Sequence, residues 1–125
     1  MIRIDTNYII RYLVNDNIEM ANKAEEVLLT KDVFIANEIL AEVIYVLEGV
    51  YKVSREESSL LLEELLEFEN ILVEDKEKIK EALKLYRVKR LDFVDCLLCL
   101  YSQEDEIITF DKKLNKCIQE LSKPK

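Results

Sequence analysis

Ile2 and Ile4 alternate with polar residues and are followed by three more polar ones, Asp5-Thr6-Asn7. Tyr8-Ile9-Ile10-Arg11-Tyr12-Leu13-Val14 then places its apolar positions at helical spacing. The pattern predicts a short strand running directly into a helix, with a carboxylate at the junction. A second helix is expected from Asn17 to Thr30, with Met20, Ala21, Ala24, Val27 and Leu28 on one face. Asp32-Val33-Phe34-Ile35-Ala36 reads as a short buried strand, and Asn37 as the cap of the next helix, Glu38 to about Glu48. That helix is nearly all apolar and should stop at Gly49. Ser54-x-x-Glu57 is a capping box opening a Leu-rich helix through about Glu69. Leu61, Leu62, Leu65, Leu66 and Phe68 give it more apolar surface than one face needs, which suits a partner contact.

Ile71-Leu72-Val73 reads as a third strand, and Asp75 to about Lys89 as a charged helix turning Ile79, Leu83 and Tyr86 inward. Asp92 opens an apolar helix, Phe93 to Tyr101. Glu106-Ile107-Ile108-Thr109-Phe110 is expected as a fourth strand, and Asp111 leads into a last helix, with Ser122 to Lys125 frayed. Strands alternating with helices imply βαβ units and a parallel sheet covered on both faces, an α/β fold. With right-handed crossovers, the simplest winding sets the first three strands in one direction and the fourth on the other side of the first. Asp5 and Asp111 would then meet at the switch point, outside the carboxyl ends of the strands, where open sheets bind ligands.

A chain of 125 residues is one domain able to bury a single core. One Gly and one Pro leave little room for linkers and exclude a P-loop or GxGxxG fingerprint. The absence of histidine removes Ser-His-Asp and Cys-His nucleophiles and most mixed-ligand zinc sites. Cys96, Cys99 and Cys117 read as core thiols, with no disulfide expected. No run is long enough for a membrane span and no signal segment opens the chain, which points to the cytoplasm. The net charge of −8 opposes broad nucleic-acid binding unless metal ions or local basic patches intervene.

The carboxylates carry the candidate chemistry. Glu42 shares a face with Ile39, Val43 and Val46 and is expected to point inward, with Glu38 one turn earlier. Asp92 and Asp95 stand three residues apart at a helix start. Asp5, Asp92 and Asp111 each also fit as plain helix caps, and Asp95 as an acid favoured by the helix dipole. Taken together, crowded carboxylates repel unless cations sit between them. Oxygen-only clusters suit Mg²⁺ or Mn²⁺, and such metals activate water and stabilise charge on a phosphoryl group. The chemistry expected is phosphodiester hydrolysis.

With these residues in view, the chain resembles the PIN-domain ribonucleases, most of all the VapC toxins of toxin–antitoxin pairs. The resemblance rests on Ile4-Asp5-Thr6-Asn7, Leu40-Ala41-Glu42-Val43-Ile44-Tyr45, Asp92-Phe93-Val94-Asp95-Cys96-Leu97-Leu98 and Ile108-Thr109-Phe110-Asp111-Lys112-Lys113-Leu114, in that order. It covers nearly the whole chain, as a single PIN-like domain over 1–121. It implies a three-layer α/β/α fold with a short parallel sheet of about four strands. It further implies a Mg²⁺- or Mn²⁺-dependent endoribonuclease whose metal and catalytic acids are Asp5, Glu42, Asp95 and Asp111, with Asp92 accessory. Thr6 and Thr109 match hydroxyl positions beside the metals. An RNA substrate, a cognate antitoxin and a homodimer are the partners it implies. The resemblance departs at the C-terminus, where relatives continue into a fifth strand and this chain has Leu121 and a polar tail.

Cations accompany the acids. Lys76, Lys80, Lys84 and Arg87 recur along one helix, Lys89-Arg90 precede Asp92, and Lys112, Lys113 and Lys116 follow Asp111. They suit guidance of a phosphate backbone, with Lys112 and Lys113 at the rim; the helix lysines equally fit a solvated face paired with Glu77 and Glu81. Three other readings compete: a PIN nuclease for RNA processing, phosphotransfer through an aspartyl-phosphate at Asp5, and a non-catalytic interaction module using the Leu-rich helix. Asn7 stands where the phosphotransfer enzymes place a second Asp, which counts against that reading.

Overall fold

In the computed structural model, residues 1–123 are described. They form β1 (Ile2–Arg3), α1 (Thr6–Val14), α2 (Ile18–Thr30), β2 (Val33–Phe34), α3 (Asn37–Gly49), α4 (Arg55–Leu66), β3 (Ile71–Leu72), α5 (Lys76–Val88), α6 (Phe93–Tyr101) and α7 (Lys112–Ser122). Two compact units are distinguishable, Met1–Lys76 and Glu77–Lys125. No helix among the described residues is long and apolar enough to cross a membrane.

The first unit holds the sheet. Its strands run parallel in the order β1-β2-β3, with Ile2 opposite Val33 and Val33 opposite Ile71. This is the winding expected for the first three strands. The ladder is short but locked by side chains: the Asn70 amide donates to the carbonyls of Leu28 (2.6 Å) and Lys31 (2.7 Å) and so ties the start of β3 to the end of α2. Val33, Ile35 and Ile71 are fully buried, together with Ile9, Leu28, Leu40, Leu47, Leu62, Leu65 and Leu66. Burying such side chains stabilises by about 1.5–3 kcal/mol each. The Ser54 half of the capping box is realised at α4, where the Glu57 N–H donates to Ser54 Oγ at 3.1 Å.

Three local expectations are corrected here. Asn37 is the first residue of α3 rather than its cap; Ala36 takes the cap position without a side-chain bond, and the Asn37 amide donates to Glu74 instead. The stop of α3 at Gly49 is as expected, though the left-handed residue stands three positions later, at Lys52. Glu42 is exposed, not inward. The buried stripe of α3 is Leu40, Val43, Ile44 and Leu47, and Glu42 lies off it, on the side that also carries exposed Glu38 and Tyr45. An exposed carboxylate needs no buried partner. The sheet has three strands among the described residues, and 106–110 is not a fourth. Thr109 there is committed to a turn: its hydroxyl accepts from the Asp111 N–H (3.0 Å) and its carbonyl from the Asn115 amide (3.0 Å). Such local bonds compete with sheet ladders.

The second unit is built from helices. α6 spans the residues expected of it and buries Phe93, Cys96, Leu97, Cys99 and Leu100, while α7 buries Leu114 and Cys117. Cys99 and Cys117 form a disulfide with their Cα atoms 6.1 Å apart, and Cys96 is a buried free thiol. The expectation of three core thiols is corrected at that pair. Each of the two bonded cysteines lies on its helix's buried face, and no spacing in the sequence announces that these faces oppose each other. Of the expected frayed end, Ser122 closes α7 and Lys123 caps it, while 124–125 lie outside the described residues.

Candidate active site

Three of the five acids singled out in the sequence stand at helix starts and cap them. Asp5 Oδ1 accepts from the Tyr8 N–H (3.0 Å), Asp92 Oδ1 from the Asp95 N–H (2.9 Å) and Asp111 Oδ1 from the Leu114 N–H (2.9 Å). The cap reading and the site reading are therefore compatible, because each cap uses one of two carboxylate oxygens.

In the first unit, Asp5 follows β1 and is exposed in an open cleft of about 510 Å³ lined by Ile2, Arg3, Ile4, Tyr8 and Val27. Thr6, beside it, is 7% exposed, and its hydroxyl finds no hydrogen-bond partner among the described residues. A buried hydroxyl left without a partner costs about 1–3 kcal/mol. Glu42 stands on the exposed side of α3.

In the second unit, Asp92 and Asp111 act on Asp95. Partial burial, then the charge of Asp92, then that of Asp111 hold the Asp95 carboxyl above its ordinary range. Asp92 is thus both the cap that fixes the Asp95 backbone and a like charge that opposes Asp95 ionisation. Thr109 is a positioning residue here, since its hydroxyl fixes the Asp111 N–H at the entry to α7. Lys112 and Lys113 follow, both exposed.

A basic cavity of about 240 Å³ lies in the same unit, with Lys89, Arg90, Lys113, Lys116 and Glu120 on its walls. The sequence displays these cations but does not show that they gather. The available signal was the recurrence of Lys113, Lys116, Cys117 and Glu120 along one face of α7.

The donor set suits a hard divalent ion. It is all carboxylate oxygen with no imidazole, and at Asp95 a cation would relieve the opposition to ionisation. Among the described residues, however, no three Asp, Glu or Cys side chains are gathered as closely as a bound ion requires.

Comparison with known proteins gives two findings. The sequence matches the PIN domain family over residues 2–117, a span that takes in residues of both units. It is 32% identical over 101 residues to a VapC ribonuclease of Aquifex aeolicus (strain VF5), covering 78% of this chain and 70% of that relative. No solved structure matches it.

Proposed function

This chain belongs to the PIN-domain family as a VapC-like nuclease, and from that premise we propose that it is a Mg²⁺- or Mn²⁺-dependent endoribonuclease, the toxin of a toxin–antitoxin pair. The observation that carries the reading is the state of Asp95. A carboxyl raised first by partial burial and then by two neighbouring carboxylates, in a chain without histidine, is a group whose ionisation a divalent cation would favour.

In this reading Asp5, Glu42, Asp95 and Asp111 are the metal-binding and catalytic acids, and residues 1–121 work as one PIN-like domain. The metal would supply charge neutralisation at the phosphoryl group and easier ionisation of the attacking water. The chain's own residues do the positioning. Asp92 holds the first turn of α6 through the Asp95 N–H and so fixes where Asp95 stands. Thr109 and the Leu114 N–H do the same for Asp111 from either side. Thr6 offers a hydroxyl next to Asp5, while Lys112 and Lys113 draw the RNA phosphates toward the acids. Glu42, exposed on α3, is available to solvent and to a bound ion alike. The protein acts in the cytoplasm as a homodimer, held inactive by a cognate antitoxin until that partner is lost.

The test is cleavage of a mixed RNA panel with Mg²⁺ or Mn²⁺ and with EDTA, for wild type and Asp95→Asn. Wild type should cleave, and both EDTA and the substitution should lower the rate by at least the ~10²-fold typical of a catalytic group. Cleavage that survives both would remove the metal mechanism. Co-expression with a small neighbouring gene product that restores growth would support the toxin role over RNA processing.

A further inference from the structure

The basic cavity of the second unit is not used by the chemistry above, apart from Lys113 at its edge. One wall is the stretch that follows α5, with Lys89 and Arg90; the other is one face of α7, where Lys113, Lys116, Cys117 and Glu120 recur at the i, i+3, i+4, i+7 spacing of a single helical stripe. Four cations against one carboxylate leave a local excess of three positive charges, in a chain whose net charge is −8. The carboxylate, Glu120, pairs with Lys89, and that hydrogen bond holds its carboxyl below the ordinary glutamate range. Arg90, Lys113 and Lys116 are exposed around the mouth. This concentration opposes the sign of the whole molecule, so it selects anions locally.

The stretches that build the cavity also adjoin two of the acids. Arg90 lies two residues before the Asp92 cap, and Asp111 caps α7. At roughly 1.5 Å per residue, Lys113 and Lys116 stand about 3 and 8 Å farther along the α7 axis than Asp111. A ligand that reaches from the acids into the cavity is therefore a chain carrying anions at short, regular intervals. With about 30 Å³ per water, the cavity has room for roughly eight waters, more than a single small ion displaces. Arg90 adds a planar fork that matches the paired oxygens of a phosphate.

We propose that this cavity is a phosphate subsite that holds the RNA backbone one or two nucleotides from the scissile bond, through Arg90 and Lys116 with Lys113 between them and the acids. The assignment rests on the ribonuclease reading, and its test separates the two. Binding of a labelled single-stranded RNA is followed by fluorescence anisotropy across a salt series in Mg²⁺, in the Asp95→Asn background so that hydrolysis does not enter. Arg90→Gln/Lys116→Gln is compared with Lys31→Gln, a charge removed elsewhere. Thermal melts check that all variants remain folded.

The double variant should weaken binding several-fold and lower the slope of log Kd against log salt by at least about 0.7, the loss of one single-strand phosphate contact. Lys31→Gln should change neither. Unchanged affinity and slope in the double variant overturn the subsite even if wild type cleaves RNA. A reduced slope with a wild type that never cleaves keeps the RNA contact and removes the hydrolytic reading. No RNA binding at all removes both. RNA binding that is unaffected while poly-glutamate binding is lost assigns the cavity to an acidic protein segment and overturns the proposal.

Discussion

In residues 1–76, Asp5 and Glu42 stand on elements held by apolar burial: a three-stranded parallel ladder and a core of fully buried Ile, Leu and Val from α1 to β3. In residues 77–125 there is no strand among the described residues. Helices α6 and α7 are cross-linked by Cys99–Cys117, Asp92 and Asp111 oppose the ionisation of Asp95, and the same unit holds a basic cavity. The contrast is one of means. Where burial is ample, acids can be set singly on the surface. Where acids are crowded, like-charge repulsion has to be outweighed by something else, and here a covalent bond contributes.

The contrast breaks most visibly under core and cross-link changes. Leu47→Ala, in the fully buried stripe of α3, should cost about 2–5 kcal/mol in any redox condition. Removing the Cys99–Cys117 bond, which joins residues 18 apart, should cost about 3 kcal/mol. A reductant should therefore lower the melting temperature of wild type and leave the Cys99→Ala/Cys117→Ala variant unmoved. A wild-type melt insensitive to reductant would mean that packing alone joins α6 to α7.

A smaller effect sharpens the electrostatic half. Since the folded state raises the Asp95 carboxyl above its ordinary 3.8, the protonated form is the one folding favours. This contribution is fully present below that ordinary value and is lost as pH rises through the raised one. Asp95 is only partly buried, so the effect is a few tenths of a kcal/mol, comparable to a like-charge pair on a helix. In metal-free melts from acid to neutral pH, Asp95→Asn should lack this decline and gain slightly on wild type at pH 7. Mg²⁺ should reverse the order by stabilising wild type alone, as expected of a ligand that binds only the folded state. Equal responses of both proteins to Mg²⁺ would remove Asp95 from the proposed metal site.

Much of this molecule was legible where a local rule has only one outcome. The caps at Asp92 and Asp111 and the Ser54–Glu57 box fixed three helix starts, and the apolar run fixed α6 residue for residue. Legibility failed where two local outcomes were close. On α3, Ile39 and Val46 flank the buried stripe, so a helix apolar on nearly every side hides which edge Glu42 takes. At 106–110, a short β-branched and aromatic run reads as a strand, while Thr109 and Asn115 supply local bonds that compete with it. The disulfide and the basic cavity depend on which helix faces oppose each other, and residue spacing within one helix carries no record of that.

The bond between Cys99 and Cys117 has one more consequence. It closes a loop containing the turn before α7, where Ile108 is 87% exposed and Phe110 fully so. Exposed stretches of this kind are where proteases nick. In topological terms the segment is a ring with two tails. Chymotrypsin cutting after Phe110 opens the ring and releases nothing, so α7 stays tethered to α6 across a broken backbone. The nicked protein should run as one species until its thiols are restored, and as two thereafter.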